Sequence, residues 1–373
     1  MICFQLKRNH TKQLPAKQPP AKQPLAKQPP AKQPPAKQPL AKQPPAKQPP
    51  TKQSLAKQPP AKQLLAKQPP AKQQRCYEFH YNYPLNNVKD ILNELKDNGT
   101  TSSQPINHIY NQYSTIYNVK CAAYTELIIL VKSYIGHFDQ RKAIRSTWGT
   151  CHGENVRVVF LLGYTSKFDE QVRYEYAENN DIVQGSFKDE YRNNIYKTSM
   201  AYDWVVWNCS DSQFVFFVDD DYFVTIPNLL QFSREKIWDG RDVMFGHKQC
   251  NPKNPVRSKS SRYRKWYISE EEYQPPVLPP FLSGGSVLTH INVVRTLRIA
   301  FPYMKTIFLD DVYVSLVAQK IGINILHDER FVNAEVRRMD FNFIISCHNF
   351  NSSDYLNKAW LKFKTANSLH CNQ

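Results

Sequence analysis

From Lys12 to Lys72 a lysine returns every five residues in a KQPPA-like unit, and this segment holds 17 of the chain's 27 prolines. Proline fixes φ and removes the amide donor, so neither helix nor sheet propagates through such a run. The segment is expected as solvated polyproline II, with too little apolar surface to bury a core. Its period of five is out of step with the three-residue polyproline turn, so the lysines spread around the rod instead of lining one face. A spacer or stem is the plain reading of residues 1–75, and a proline-ligand or polyanion-binding tail is the alternative. Whatever folds is therefore written in the rest, with residues 76–119 as linker or stem and 120–373 as the functional domain.

The tail also changes the meaning of the charge. The 373 residues carry a net charge of +17, but residues 1–75 hold sixteen basic side chains and no acidic one. The remainder balances 33 basic against 32 acidic residues, so no broad basic face for nucleic acid is expected. No run of 18 or more apolar residues occurs, and Met1 to Leu6 is too short for a signal peptide's apolar region. Eight cysteines without a C-x-x-C pair suit neither a zinc ribbon nor a thioredoxin-type motif. With glycosylation sequons at Asn9, Asn98, Asn208 and Asn351, they lean toward a secretory lumen.

After residue 120 the pattern alternates. Leu127–Val131 and Val156–Leu162 are apolar runs of strand length, and Asp139 is placed to cap a helix through Trp148. Phe168–Asn179 reads as helix, Ile182–Val183 as a short strand, Tyr191–Trp207 as a longer helix and Phe214–Val218 as a wholly apolar strand. Such an order argues for an α/β fold with a mostly parallel sheet covered on both faces. Ligands of these sheets bind at the carboxyl ends of the strands.

The most unusual residues stand at such an end. Phe214–Val218 runs directly into Asp219, Asp220 and Asp221. Adjacent carboxylates repel, so a buried strand end tolerates three only with a cation; a solvated acidic turn is the plain alternative. Strand alternation puts Asp219 and Asp221 on one side and Asp220 on the other. That arrangement suits Mg²⁺ or Mn²⁺, which keeps several waters and is completed by substrate phosphates. Asp310 and Asp311 open a second, helix-like segment, Val312–Ile321, either as cap and dipole partners or with a carboxylate kept ionised for use as a base. Between the two acidic sites Gly284 and Gly285 allow close approach to a ligand, or mark a bulge or turn.

Six segments then fall in a recognisable order: Arg141 to Gly149, Asp189 to Asn194 with Lys197 and Thr198, Phe217 to Asp221, Lys265 to Tyr273, Pro280 to Gly285, and Asp310 to Val314. In order and spacing the chain resembles the β-1,3-galactosyltransferase family over about residues 120–360. The wording Phe-Val-Asp-Asp-Asp-Tyr-Phe-Val and Lys-Trp-Tyr-Ile-Ser-Glu-Glu-Glu-Tyr is most similar to the brainiac-type branch. Members of that branch resemble galactosyltransferases but transfer N-acetylglucosamine.

The resemblance implies a GT-A-type nucleotide-sugar-binding fold, UDP-galactose or UDP-N-acetylglucosamine as donor, Mn²⁺ (or Mg²⁺) as cofactor, and inversion at the anomeric carbon. It implies a metal site of Asp221 with Asp219 and the late histidine His348, and it makes Asp311 the base that deprotonates the acceptor hydroxyl. Donor contacts are implied for Arg141, Arg145, Asp220, Ser283, Gly284 and Gly285. A basic helix face is the plain reading of the two arginines. Acceptor contacts are implied for Trp266, Tyr267, Glu271, Glu272 and Asp310, with core packing the plain reading of Trp266. The acceptor would be a glycan on lipid or protein. Family members carry a membrane anchor ahead of the stem; here the stem-like segment stands without one. An altered or incomplete start, with a Golgi lumen or membrane location, is the expectation, and a soluble enzyme the alternative. Two rival functions remain, a non-catalytic sugar-binding module tethered by the basic tail, and a haloacid-dehalogenase-type phosphatase. The latter's motif wants a small residue where Phe223 stands.

Overall fold

A computed structural model describes residues 76, 87–122, 124–150, 152–237, 239–251, 253–334 and 340–367. The repeat segment, its sequon at Asn9, and Cys3, Cys151 and Cys371 lie outside the described residues.

Eleven strands are formed among those residues: β1 Thr115–Tyr117, β2 Leu127–Lys132, β3 Val156–Tyr164, β4 Ile182–Lys188, β5 Phe214–Asp219, β6 Phe223–Val224, β7 Val243–Gln249, β8 Phe281–His290, β9 Asn324–His327, β10 Phe331–Val332 and β11 Ser346–Cys347. The α-helices are α1 Val88–Asn98, α2 Phe138–Arg145, α3 Asp169–Asn179, α4 Asn194–Asn208, α5 Ile226–Ile237, α6 Ile291–Ala300, α7 Asp310–Lys320 and α8 Ser353–Asn367. The main sheet has the order β1-β4-β3-β2-β5-β8-β7-β9. Within it only β1 and β8 run against the other six strands. A second, small sheet has the order β10-β11-β6 and packs on the main one, Phe331 against Phe216 and Ser346 hydrogen-bonded to Ser286.

The wholly apolar strands are explained by what covers them. Ile128 and Leu130 of β2 and Val215 and Phe217 of β5 join a core with α4, α6 and α7. Their neighbours Leu127, Ile129, Val131, Phe214, Phe216 and Val218 join a second core with α2, α5 and α8 on the opposite face. A strand buried on both faces has no polar face to alternate with, hence the continuous runs. The expected mostly parallel sheet flanked by helices is thus present.

Local differences have local causes. The first predicted helix ends at Arg145 instead of Trp148, whose indole turns inward and donates to the Tyr222 carbonyl at 3.2 Å. The longer helix begins at Asn194, after a short 3₁₀ turn at Tyr191–Asn193. Gly284 and Gly285 lie within β8, where its register with β7 shifts between Val287 opposite Gly246 and Leu282 opposite Lys248, in keeping with the bulge reading. Residues 87–119, read as linker, are partly built into the domain. Val88, Ile91, Ile109 and Val119 are buried, and β1 pairs antiparallel with β4.

Disulfides join Cys76 to Cys250 and Cys121 to Cys209. The second closes a loop with a sequence separation of 88 residues, between the segment leading into β2 and the end of α4. Opening a loop of that length returns entropy to the unfolded chain, so Cys121→Ser should lower unfolding free energy by roughly 3–4 kcal/mol. Urea denaturation of the two proteins measures the difference, and an unchanged midpoint would show that the crosslink does not stabilise the fold.

Candidate active site

Strands β2 and β5 run parallel in register, Lys132 beside Asp219, so the carboxyl edge of the sheet carries both side chains. There a cleft of about 740 Å³ opens, lined by Lys132, Asp219, Asp221, Asp310, Asp311 and His348 among others. That is room for a nucleotide-sized ligand. Alternation works as expected along the aspartate run. Asp219 and Asp221 line the cleft, whereas Asp220 points away, hydrogen-bonded to Ser133 Oγ at 2.6 Å and His137 Nδ1 at 2.8 Å. The Asp220 contact raises the His137 pKa above its ordinary value, against the effect of partial burial.

His348 reaches the cleft through the small sheet. β11 pairs antiparallel with β6, Cys347 opposite Phe223, which sets the residue after Cys347 beside the residues before Phe223. Asn349 then takes a left-handed conformation (φ 79°), which asparagine tolerates better than most residues. The turned chain lets Phe350 N–H donate to the Asp221 carbonyl at 2.8 Å. His348 Nε2 sits 3.1 Å from Asp221 Oδ2, and this contact raises its pKa. The other carboxylate oxygen, Asp221 Oδ1, is buried with no hydrogen-bond partner among the described residues.

The facing wall comes from β8 and α7. Asp311, in the first turn of α7, is hydrogen-bonded among the described residues only to backbone: Val312 N–H at 2.8 Å and Gly284 N–H at 3.4 Å. Burial, with adjacent Asp310 adding to it, pushes its carboxyl up to about 6. Asp310 goes the other way: burial would raise it, but Lys132 at 3.0 Å and Thr198 Oγ1 at 2.6 Å hold it below its usual range. Asp219 is pushed up to about 7 by burial, although Lys132 lies 3.2 Å away.

Gly284 and Gly285 are glycines for want of space. A Cβ on Gly284 would stand 3.0 Å from the Asp311 Cβ. One on Gly285 would run into the buried Tyr222 ring, within 2.5 Å of two of its carbons. Tyr222 Oη donates to Asn333 Oδ1 at 2.8 Å, and Asn333 Nδ2 donates to Ser283 Oγ at 3.1 Å, so this wall is one connected network. Gly285→Ala should therefore cost roughly 1–3 kcal/mol of stability through overpacking. Thermal unfolding tests this, and an unshifted midpoint would mean that Tyr222 moves aside freely.

Other candidates are placed differently. Arg141 is fully buried; its guanidinium grips Glu175 (2.7 and 2.8 Å), Ser133 Oγ and two backbone carbonyls. Arg145 pairs with Asp181 and Glu175, each at 2.7 Å. Neither arginine lines the cleft, because acidic partners on α3 and before β4 take up both guanidinium groups. Trp266 does line it, with Tyr191. Tyr267, Glu271 and Glu272 line a neighbouring groove of about 640 Å³ with Arg192, Lys259 and Lys305, and Arg192 pairs with Glu272. Cleft residues that sequence reading missed include Lys132, Tyr222 and Asn333. Lys132 had a signal, a lysine ending an apolar strand; Asn333 had none.

Fold and cleft together define an α/β enzyme whose ligand site lies at the carboxyl ends of its strands. Residues 139–329 match the family described as Galactosyltransferase. The Drosophila melanogaster protein beta-1,3-galactosyltransferase brn is 32% identical over 300 residues, covering 78% of this chain and 89% of that protein. Human N-acetyllactosaminide beta-1,3-N-acetylglucosaminyltransferase 4 is 30% identical over 227 residues, 58% of each chain. Human lactosylceramide 1,3-N-acetyl-beta-D-glucosaminyltransferase is 30% identical over 270 residues, 69% of each. The chain belongs to the galactosyltransferase family. It is a hexosyltransferase.

Proposed function

We propose that this chain is an inverting, metal-dependent β-1,3-hexosyltransferase. It would move galactose or N-acetylglucosamine from a UDP-sugar to the 3-hydroxyl of an acceptor glycan on protein or lipid. The observation that carries the reading is the meeting, in one cleft, of the Asp221–His348 pair with Asp311 on the facing wall.

Among the described residues no group of three His, Cys, Asp or Glu closes into a metal cage. A hard divalent cation that shares its coordination with substrate phosphates needs only one or two protein carboxylates. Asp221 Oδ1, buried and unpartnered, with His348 beside it, fits that role, and Asp219 stands near for a bound water or the donor. When bound, Mn²⁺ or Mg²⁺ would neutralise charge growing on the departing diphosphate.

The remaining chemistry belongs to this chain's own residues. Asp311 accepts the proton of the acceptor 3-hydroxyl as that oxygen bonds the anomeric carbon. The sugar–phosphate bond breaks on the opposite side, and its electron pair leaves with UDP. One base and no protein nucleophile give inversion. Ser283, Gly284 and Gly285 bring backbone close to the donor sugar, and Trp266 offers a flat face for the acceptor. The two disulfides suit an oxidising lumen, consistent with a Golgi location. Among the described residues no helix is long and apolar enough to cross a membrane.

The test is turnover by the purified chain with UDP-galactose and UDP-N-acetylglucosamine, with and without Mn²⁺, on a panel of β-hexoside acceptors. The expected product carries a new β-1,3 linkage, formed only with metal present. Neither transfer nor hydrolysis of any UDP-hexose would overturn the reading.

A further inference from the structure

Four carboxylates crowd the cleft, Asp219 and Asp221 from the β5 end and Asp310 and Asp311 from α7. Lys253 and Lys265 also line the cleft, but the ammonium in contact with these carboxylates is that of Lys132, whose side chain is 10% exposed. It lies 3.2 Å from Asp219 Oδ1 and 3.0 Å from Asp310 Oδ2. Asp310 Oδ2 also accepts Thr198 Oγ1 at 2.6 Å. Asp311 has only backbone donors, and Asp221 has His348 and an unpartnered Oδ1. All four line the cleft, and each acidic pair thus has one member bonded to Lys132 and one that is not.

We infer that Lys132 is a positioning residue, holding Asp219 and Asp310 together so that Asp221 and Asp311 are the carboxylates offered to ligands. The assignment rests on the reading of Asp311 as base. Its physical basis is the adjacency of Asp310 and Asp311 on one helical turn. Without a cation 3.0 Å from it, Asp310 is repelled by its neighbour and keeps only neutral donors, Thr198 and a backbone amide, so that it is freer to turn into the space that the acceptor hydroxyl needs. Gly284 keeps that floor open, since a Cβ there would stand 3.0 Å from the Asp311 Cβ.

A buried ion pair can also serve the fold alone, so the test must separate the two roles. Wild type, Lys132→Met and the double variant Lys132→Met with Asp310→Asn are compared for kcat, donor and acceptor KM, and thermal midpoint. Activity is expressed per folded molecule. Misplacing the reacting groups should lower kcat of Lys132→Met roughly 100-fold, with acceptor KM within about threefold of wild type. Removing the Asp310 charge should restore kcat to within about tenfold. A single variant whose activity per folded molecule equals wild type overturns the inference, as does a folded double variant no faster than the single one. Should Lys132→Met not fold, the folded double variant is compared with wild type, and a kcat still 100-fold down overturns it. Absence of transfer by wild type would instead remove the enzymatic reading itself.

Discussion

Asp311→Asn is expected to lower the rate of sugar transfer by roughly 10³-fold while leaving metal-dependent UDP binding within about twofold of wild type. The substitution keeps the shape of the group, and the asparagine oxygen can still accept the Val312 amide, giving up only the longer Gly284 contact to the other carboxylate oxygen. What it removes is the ability to take a proton. The wild-type carboxyl is pushed up to about 6 by burial and by Asp310, so it is about nine-tenths ionised at pH 7 and still basic enough to be useful. The sign of the pH dependence follows. Below about pH 6 the group is protonated and kcat/KM should fall tenfold per pH unit; above it this group no longer limits the rate. In Asp311→Asn that acid limb should vanish from the residual activity. Calorimetric titration with UDP and Mn²⁺ supplies the control. If the variant loses UDP binding, Asp311 belongs to the cation side of the cleft; if it keeps more than a tenth of the activity, it is not the base.

The two acidic clusters were readable because their chemistry is local. An apolar strand that ends in three aspartates carries its own alternation, and Asp219 and Asp221 share the cleft while Asp220 turns to Ser133 and His137. What was unreadable depends on partners distant in the chain. Arg141 and Arg145 looked ready for phosphates because Glu175 and Asp181, which hold them, lie 30 to 40 residues on. Lys132 gains its place from a strand register with Asp219, and His348 from a two-residue pairing of β11 with β6. Residue resemblance picked out His348; no periodicity does. The segment around Trp266 is divided for a similar reason. A short turn at Arg264–Trp266 points successive side chains to different surfaces, with Trp266 in the cleft and Tyr267 in the neighbouring groove. The glycine pair was ambiguous in sequence because only the packed Tyr222 ring reveals why no side chain fits at Gly285.

Asp221→Ala should weaken UDP binding in the presence of Mn²⁺ by about 100-fold or more and reduce transfer to background. The expectation comes from a buried carboxylate oxygen that has no donor, Asp221 Oδ1. Such an atom costs the free protein about 1–3 kcal/mol, and a fold selected only for stability would pair it or replace it. His348 meets the other oxygen, and Phe350 meets the backbone carbonyl. The carbonyl contact survives in the variant, so the loop should hold its course. Two measurements then move in opposite directions. In metal-free buffer the melting midpoint should stay level or rise by a few degrees, because a buried carboxylate oxygen without a donor has gone, against the loss of the His348 contact. In buffer with Mn²⁺ and UDP, the wild type should gain stability by mass action and the variant should not. His348→Ala should show the same pattern at about a tenth of the loss, since the histidine adds one neutral ligand and Asp221 supplies the charge. If Asp221→Ala keeps the Mn²⁺-dependent gain, the cation binds elsewhere in the cleft. Asp219, already shared with Lys132, is then the carboxylate to change next.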